Sequence, residues 1–136
     1  MALETTLVYE ISPPVPFTCA DGTGIGKGAI LKIADLNTVS VAGTDNDAVI
    51  GIAAEEKIAS DGKTKIGVYL SGILKGTAGA AGCTAGDYLI VDSSTGDDNE
   101  IVVADATSAF ILGQALETAT DLETFLFLLN PCSGQP

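Results

Sequence analysis

Val49-Ile50-Gly51-Ile52-Ala53-Ala54-Glu55 returns 62 residues later as Ile111-Leu112-Gly113-Gln114-Ala115-Leu116-Glu117. Each copy is a short apolar run with a glycine at its centre and an acid at its end. A glycine inside a strand marks a bend or a place where another backbone comes close. Finding it twice at one position gives Gly51 and Gly113 the same structural job. Working outward, Gly26-Lys27-Gly28-Ala29-Ile30-Leu31 answers to Gly86-Asp87-Tyr88-Leu89-Ile90-Val91. Thr38-Val39-Ser40-Val41 answers to Glu100-Ile101-Val102-Val103, and Lys65-Ile66-Gly67-Val68-Tyr69-Leu70 to Thr124-Phe125-Leu126-Phe127-Leu128-Leu129. The offset moves only between 59 and 62, and the indels fall in turns. The pseudo-repeats cover about 24–75 and 84–130.

Strands at this spacing, split by Gly- and Asp-rich turns, predict an all-β fold, a small barrel or sandwich. The two halves are expected to pair through their apolar faces into one pseudo-symmetric barrel spanning 18–136. Ile73-Leu74-Lys75-Gly76 continues the sheet. Short helices are expected around Glu55 to Ser60 and around Ala104 to Ala109. Residues 1–17 read as an extended N-terminal arm. Within it, Leu7-Val8-Tyr9-Glu10-Ile11 suits a short strand. Ser12-Pro13-Pro14-Val15-Pro16 forbids helix and favours a polyproline-like path. Such an arm is either disordered or reaches a neighbouring subunit.

The 136 residues suit one compact domain or two tightly fused small ones. With no Trp and 5% aromatics, the core must be built from Val, Ile, Leu and Ala. The formal net charge is −12, with lysine as the only base. Nucleic-acid binding needs a basic surface, so it is excluded as a function class. The acidity serves solubility or docking on a basic protein surface. All six lysines lie in the first 75 residues, leaving nine acids and no base from Gly76 onward. No apolar run is long enough to span a bilayer as a helix. Met1-Ala2-Leu3-Glu4-Thr5 lacks the basic and apolar regions of a secretory signal, so synthesis in a cytoplasm is expected.

Candidate chemistry is sparse. The chain has no histidine, which removes the commonest general base and the usual zinc ligand. No cofactor, metal or catalytic residue is expected. Gly22-Thr23-Gly24-Ile25-Gly26-Lys27-Gly28 departs from the phosphate-loop spacing and precedes a strand, so it reads as a turn. Asp45-Asn46-Asp47 and Asp97-Asp98-Asn99-Glu100 offer the oxygen ligands calcium takes, but not an EF-hand spacing; solvated turns are the better reading. Cys19, Cys83 and Cys132 are odd in number and widely spaced, which fits idle thiols in a reducing compartment.

The segment from Val49 to Tyr69, the opening from Cys19 to Asp35 and the closing Gly113-Gln114-Ala115-Leu116-Glu117-Thr118-Ala119 resemble the head decoration, or cement, proteins of tailed bacteriophages. The likeness runs from about Phe17 to Asn130. It implies a non-enzymatic virion protein on the outer capsid surface, clamping major capsid protein subunits together. It also implies a homo-oligomer, with a trimer favoured over a dimer. Leu7, Val8, Tyr9 and Ile11 would make the capsid or subunit contacts. Pro13, Pro14, Val15 and Pro16 would hold the arm extended. The rival reading is a carbohydrate- or receptor-binding virion module, part of a head fibre or spike, with Tyr69 or Tyr88 lining its pocket.

Overall fold

Our computed structural model describes residues 4–42, 47–79, 82–91, 100–104 and 110–133. Its strands are β1 (Thr6–Glu10), β2 (Val15–Cys19), β3 (Ile30–Asp35), β4 (Thr38–Val41), β5 (Val49–Ala53), β6 (Lys65–Tyr69), β7 (Gly72–Ala78), β8 (Tyr88–Val91), β9 (Glu100–Val103), β10 (Phe110–Ala115) and β11 (Thr124–Ser133). No helix occurs among the described residues. The expected turn of helix at Glu55 to Ser60 is instead a bridge residue, Lys57, followed by a tight turn. Lys57 exchanges both backbone hydrogen bonds with Ile25, which leaves no local ladder for a helix. The second expected helix, around Ala104 to Ala109, lies outside the described residues from 105 on.

The fold is all-β and built from two similar halves. Each half, however, closes by itself. β2, β4, β3, β5 and β6 form one barrel; β7, β11, β10, β8 and β9 form a second through the β7–β9 pairing. This corrects the expected joint barrel, and the physical reason is strand count. The repeat as read supplies four strands per half; β2 and β7 supply a fifth to each. The fifth strand pairs antiparallel with β6 or β11 on one side. On the other it pairs parallel with β4 or β9, which closes the cylinder. The seam is equivalent in both: Thr18 and Cys19 face Thr38 and Val39, as Thr77 and Ala78 face Glu100 and Ile101.

β2 straddles the expected arm–barrel boundary, because Val15 and Pro16 already pair with Val68 and Gly67. A proline is tolerated there for a definable reason. Gly67 gives its amide to the Glu55 carboxylate and its carbonyl to Ala54, so both point away from β2. The Pro16–Gly67 pair is therefore a non-hydrogen-bonded one. The missing N–H of Pro16 lies on the far edge of β2 and costs the ladder nothing.

Gly51 and Gly113 have the role that their repetition implied. A Cβ on Gly51 would collide with the Tyr69 carbonyl, and one on Gly113 with that of Leu128. Small details repeat too. Glu55 accepts the Gly67 amide, and Glu117 accepts that of Leu126. Ile25 bridges Lys57, and Cys83 bridges Ala119.

The two interiors are joined. Leu31, Val39, Ala53, Ile66 and Val68 fill the first barrel. Ile30, Ala42, Val49 and Ile52 turn outward from it and pack into the core of Leu74, Leu112, Phe125 and Phe127. β3 therefore buries both faces, Ile30 toward one barrel and Leu31 toward the other, which is why its start is continuously apolar.

Leu122 is a leucine at φ 62, 60% exposed. The matching turn of the first barrel has Ser60 at φ 60. A left-handed leucine costs on the order of 1 kcal/mol, and its exposure returns nothing in packing. Leu122→Asn is expected to raise stability by about 1 kcal/mol in urea unfolding, since Asn tolerates that conformation. No gain would mean that the leucine is not strained.

Candidate functional site

The arm does not leave the molecule. β1 pairs antiparallel with β7, Thr6 opposite Lys75 and Leu7 opposite Leu74, with an irregularity at Val8. Thr5 is buried and donates its amide to the Gly28 carbonyl at 3.2 Å. Of the candidate contact residues, Leu7 packs against the shared core. Pro16 belongs to the β2 ladder, with Val15 beside it. Val8, Tyr9, Ile11 and Val15 remain exposed, Tyr9 at 64% and Ile11 at 60%, and Pro13, Pro14 and Pro16 are exposed with them. These exposed apolar side chains lie within eight residues of chain, from Val8 to Val15.

Side-chain chemistry concentrates at one place that the sequence reading missed. The side chain of Lys57 is 1% exposed. Its Nζ donates to Asp61 Oδ1 (2.6 Å), the Ile58 carbonyl (2.7 Å), Asp21 Oδ1 and the Asp21 carbonyl (both 3.0 Å). Asp61 also accepts the Lys63 amide, and Asp21 that of Gly62. The Lys57 hydrogen bond, then these amides, hold Asp61 at about 2 and lower Asp21 as well. Burial alone would pull the Lys57 pKa down, but the hydrogen bonds from Asp61 and Asp21 outweigh it and raise it. The ammonium and both carboxylates are ionised, and all four acceptors converge on Nζ, so the cluster is a pin joining the 21–26 and 57–62 loops, not a reactive amine. The available signal was the repeat itself, which sets Lys57 opposite the buried Ala119.

Two open grooves occupy equivalent places on the two barrels. One, of about 470 Å³, is lined by Gly24, Ile25, Val41, Lys57 and Ile58 among others. The other, of about 590 Å³, is lined by Cys83, Asp87, Val103, Ala119 and Asp121 among others. Tyr88 borders a recess of only about 60 Å³, below the size that encloses a sugar ring. Tyr69 packs against the shared core. Burial raises the thiol pKa values of Cys19 and Cys83, so both stay protonated and unreactive at neutral pH. Among the described residues no group of three or more His, Cys, Asp or Glu is placed to hold a metal. Asp47 pairs with Lys32 at 3.4 Å. Asp45, Asn46, Asp97, Asp98 and Asn99 lie outside the described residues. Gly22–Gly28 forms the turn before β3, with Gly28 at φ 83.

The charge asymmetry maps onto the barrels. From β7 onward the sequence has nine acids and one base, Lys75; before it there are nine acids and five lysines. The second barrel is thus the strongly negative half.

No family model and no curated protein matches the sequence. Among solved structures, the fold is similar to the head fiber gp8.5 N base of bacteriophage phi29. The TM-score is 0.56 at 18% identity, over 85% of this chain and 93% of that one. The twin-barrel architecture thus has a precedent in a protein of a phage head.

Proposed function

We propose that the chain is a structural component of a tailed-bacteriophage head, a decoration protein that binds the outer surface and bridges major capsid protein subunits. The observation that carries this reading is the likeness to a phage head fiber base across 85% of the chain. Three features support it. The described residues hold no constellation for catalysis, and their main polar cluster is a closed structural pin. The surface is acidic, so contact with packaged DNA is not its business. Val8, Tyr9, Ile11 and Val15 present apolar side chains that a partner would cover. Many weak contacts repeated over a lattice add up to firm attachment through avidity.

The same likeness favours a second reading, the base module of a head fibre, so the test must separate the two. Electron microscopy of purified virions does so. A decoration protein is expected as density confined to the shell surface, whereas a fibre base continues into a projecting stalk. Absence from virions would sink both readings. For the contact surface, Val8→Asp with Tyr9→Asp is expected to lower retention on undecorated heads at least tenfold with little change in Tm. Both side chains are exposed, and a surface change of this kind is worth within about 0.5 kcal/mol of stability. Undiminished retention would remove the arm from the interface.

A further inference from the structure

We propose that β1 is an exchangeable strand, and that copies of this chain associate when β1 of one copy occupies the β7 edge of another. The inference starts from the repeat. Lys75 of β7 stands where Pro16 stands in β2, because Lys75 faces Leu126 and Pro16 faces Gly67. Leu126 turns its amide to Glu117 and its carbonyl to Leu116, as Gly67 turns its own to Glu55 and Ala54. Lys75 therefore directs its N–H and C=O off the far edge of β7, where β1 lies. In the first barrel that edge presents Pro16, which has no N–H to offer, with Pro13 and Pro14 just before it. Strand addition is blunted on one barrel and open on the other. The parallel seams, the crossing glycines and the Glu55 and Glu117 contacts match between the barrels, so the edge at Lys75 differs within an otherwise equivalent frame.

β1 is also lightly held. Every side chain in it except Leu7 is exposed, and its anchors are Leu7, the buried Thr5 and one ladder. Elements with few buried apolar contacts open at low cost. The segment joining it to β2, residues 11–14, contains Pro13 and Pro14, which keep the chain extended once it swings away. A hydrogen bond between Ser12 Oγ and Ser71 Oγ, at 3.1 Å, ties that hinge to the turn between the barrels. A second copy brings the same residues to the same edge, so exchange preserves every β1–β7 contact. A charge of −12 per copy opposes the encounter, so added salt should favour it.

Thr6 and Lys75 are directly opposed and both exposed, which makes them suitable for disulfide trapping. Thr6→Cys protein is mixed with Lys75→Cys protein at high concentration and about 0.5 M salt, where the screening length is roughly 4 Å, then oxidised. The unmodified chain controls for native thiols. The expected result is a one-to-one covalent dimer at least tenfold above that from either variant alone. Adding Lys75→Pro to the untrapped chain should remove the dimer seen by light scattering. A mixed dimer no more abundant than in the controls, with the Thr6→Cys/Lys75→Cys double variant closing only within single chains, would overturn the proposal. Both readouts use free protein, so they stand or fall apart from the capsid reading.

Discussion

Gly113→Ala and Gly51→Ala should each destabilise the chain by about 3 kcal/mol or more, the largest effect expected of one added methyl group. At both positions the new Cβ would sit inside the van der Waals radius of a backbone carbonyl, Leu128 in one case and Tyr69 in the other. A side-chain end can rotate away from such a collision. A backbone carbonyl cannot, because Leu128 lies mid-strand with β10–β11 paired on either side of it, and Tyr69, the last residue of β6, is held by its pairing with Ile52. The strands would have to separate, and with a total stability of about 5–15 kcal/mol the loss is a large fraction of the whole. Gly22→Ala is the control, since nothing lies within 4 Å of its Cβ position and its φ is not positive. Urea titrations at constant m-value measure all three. A Gly113→Ala protein as stable as the control would mean that the strands do not cross this closely.

The second large effect belongs to the buried cation. Lys57→Met keeps the volume but leaves Asp21 and Asp61, with the Asp21 and Ile58 carbonyls, without their shared donor. Breaking such a cluster on one side leaves the remaining charges uncompensated. The two carboxylates are partly exposed, so water softens the loss. A fall in Tm of roughly 5–10 °C at pH 7 is expected. The pH profile is the sharper reading. Asp61 is lowered from 3.8 to about 2, so its stabilising share is complete above 3.8 and disappears as the pH falls through 2. Lys57 is raised above 10.5, so its share is complete below 10.5 and is lost only as the pH climbs through the higher folded value. The wild-type chain should therefore lose Tm between about pH 4 and pH 2, and Lys57→Met should lose distinctly less over that interval. Parallel profiles for the two proteins would show that the cluster does not couple to folding.

Most of the strand pattern was legible in the residues. The glycine-centred runs at 49–55 and 111–117 fixed both the repeat and the close approach, since only glycine permits two backbones to come so near. The Asp-Gly turn at 61–62 was equally plain, and Gly62 sits at φ 88. The misses have physical causes. Val15, Pro16 and Phe17 read as the end of the arm because proline normally disqualifies a strand. They begin β2, because the partner Gly67 directs its own polar groups elsewhere. Lys57 fell within the short helix expected around Glu55 to Ser60. Its four acceptors come from a loop 36 positions away as well as from its own turn.

The sequence by itself determined an all-β chain of two like halves, the glycines that let their strands cross, and a net charge of −12. Alternation and turn chemistry are local properties, and local properties survive in a string of letters. Tertiary structure alone decided that each half closes on its own, that the arm is docked on β7 and not free, and that a lysine is buried beside two carboxylates. Those outcomes depend on which backbone edge faces which partner across tens of residues. An edge's preference is set by where its N–H groups point, which no single stretch of sequence records.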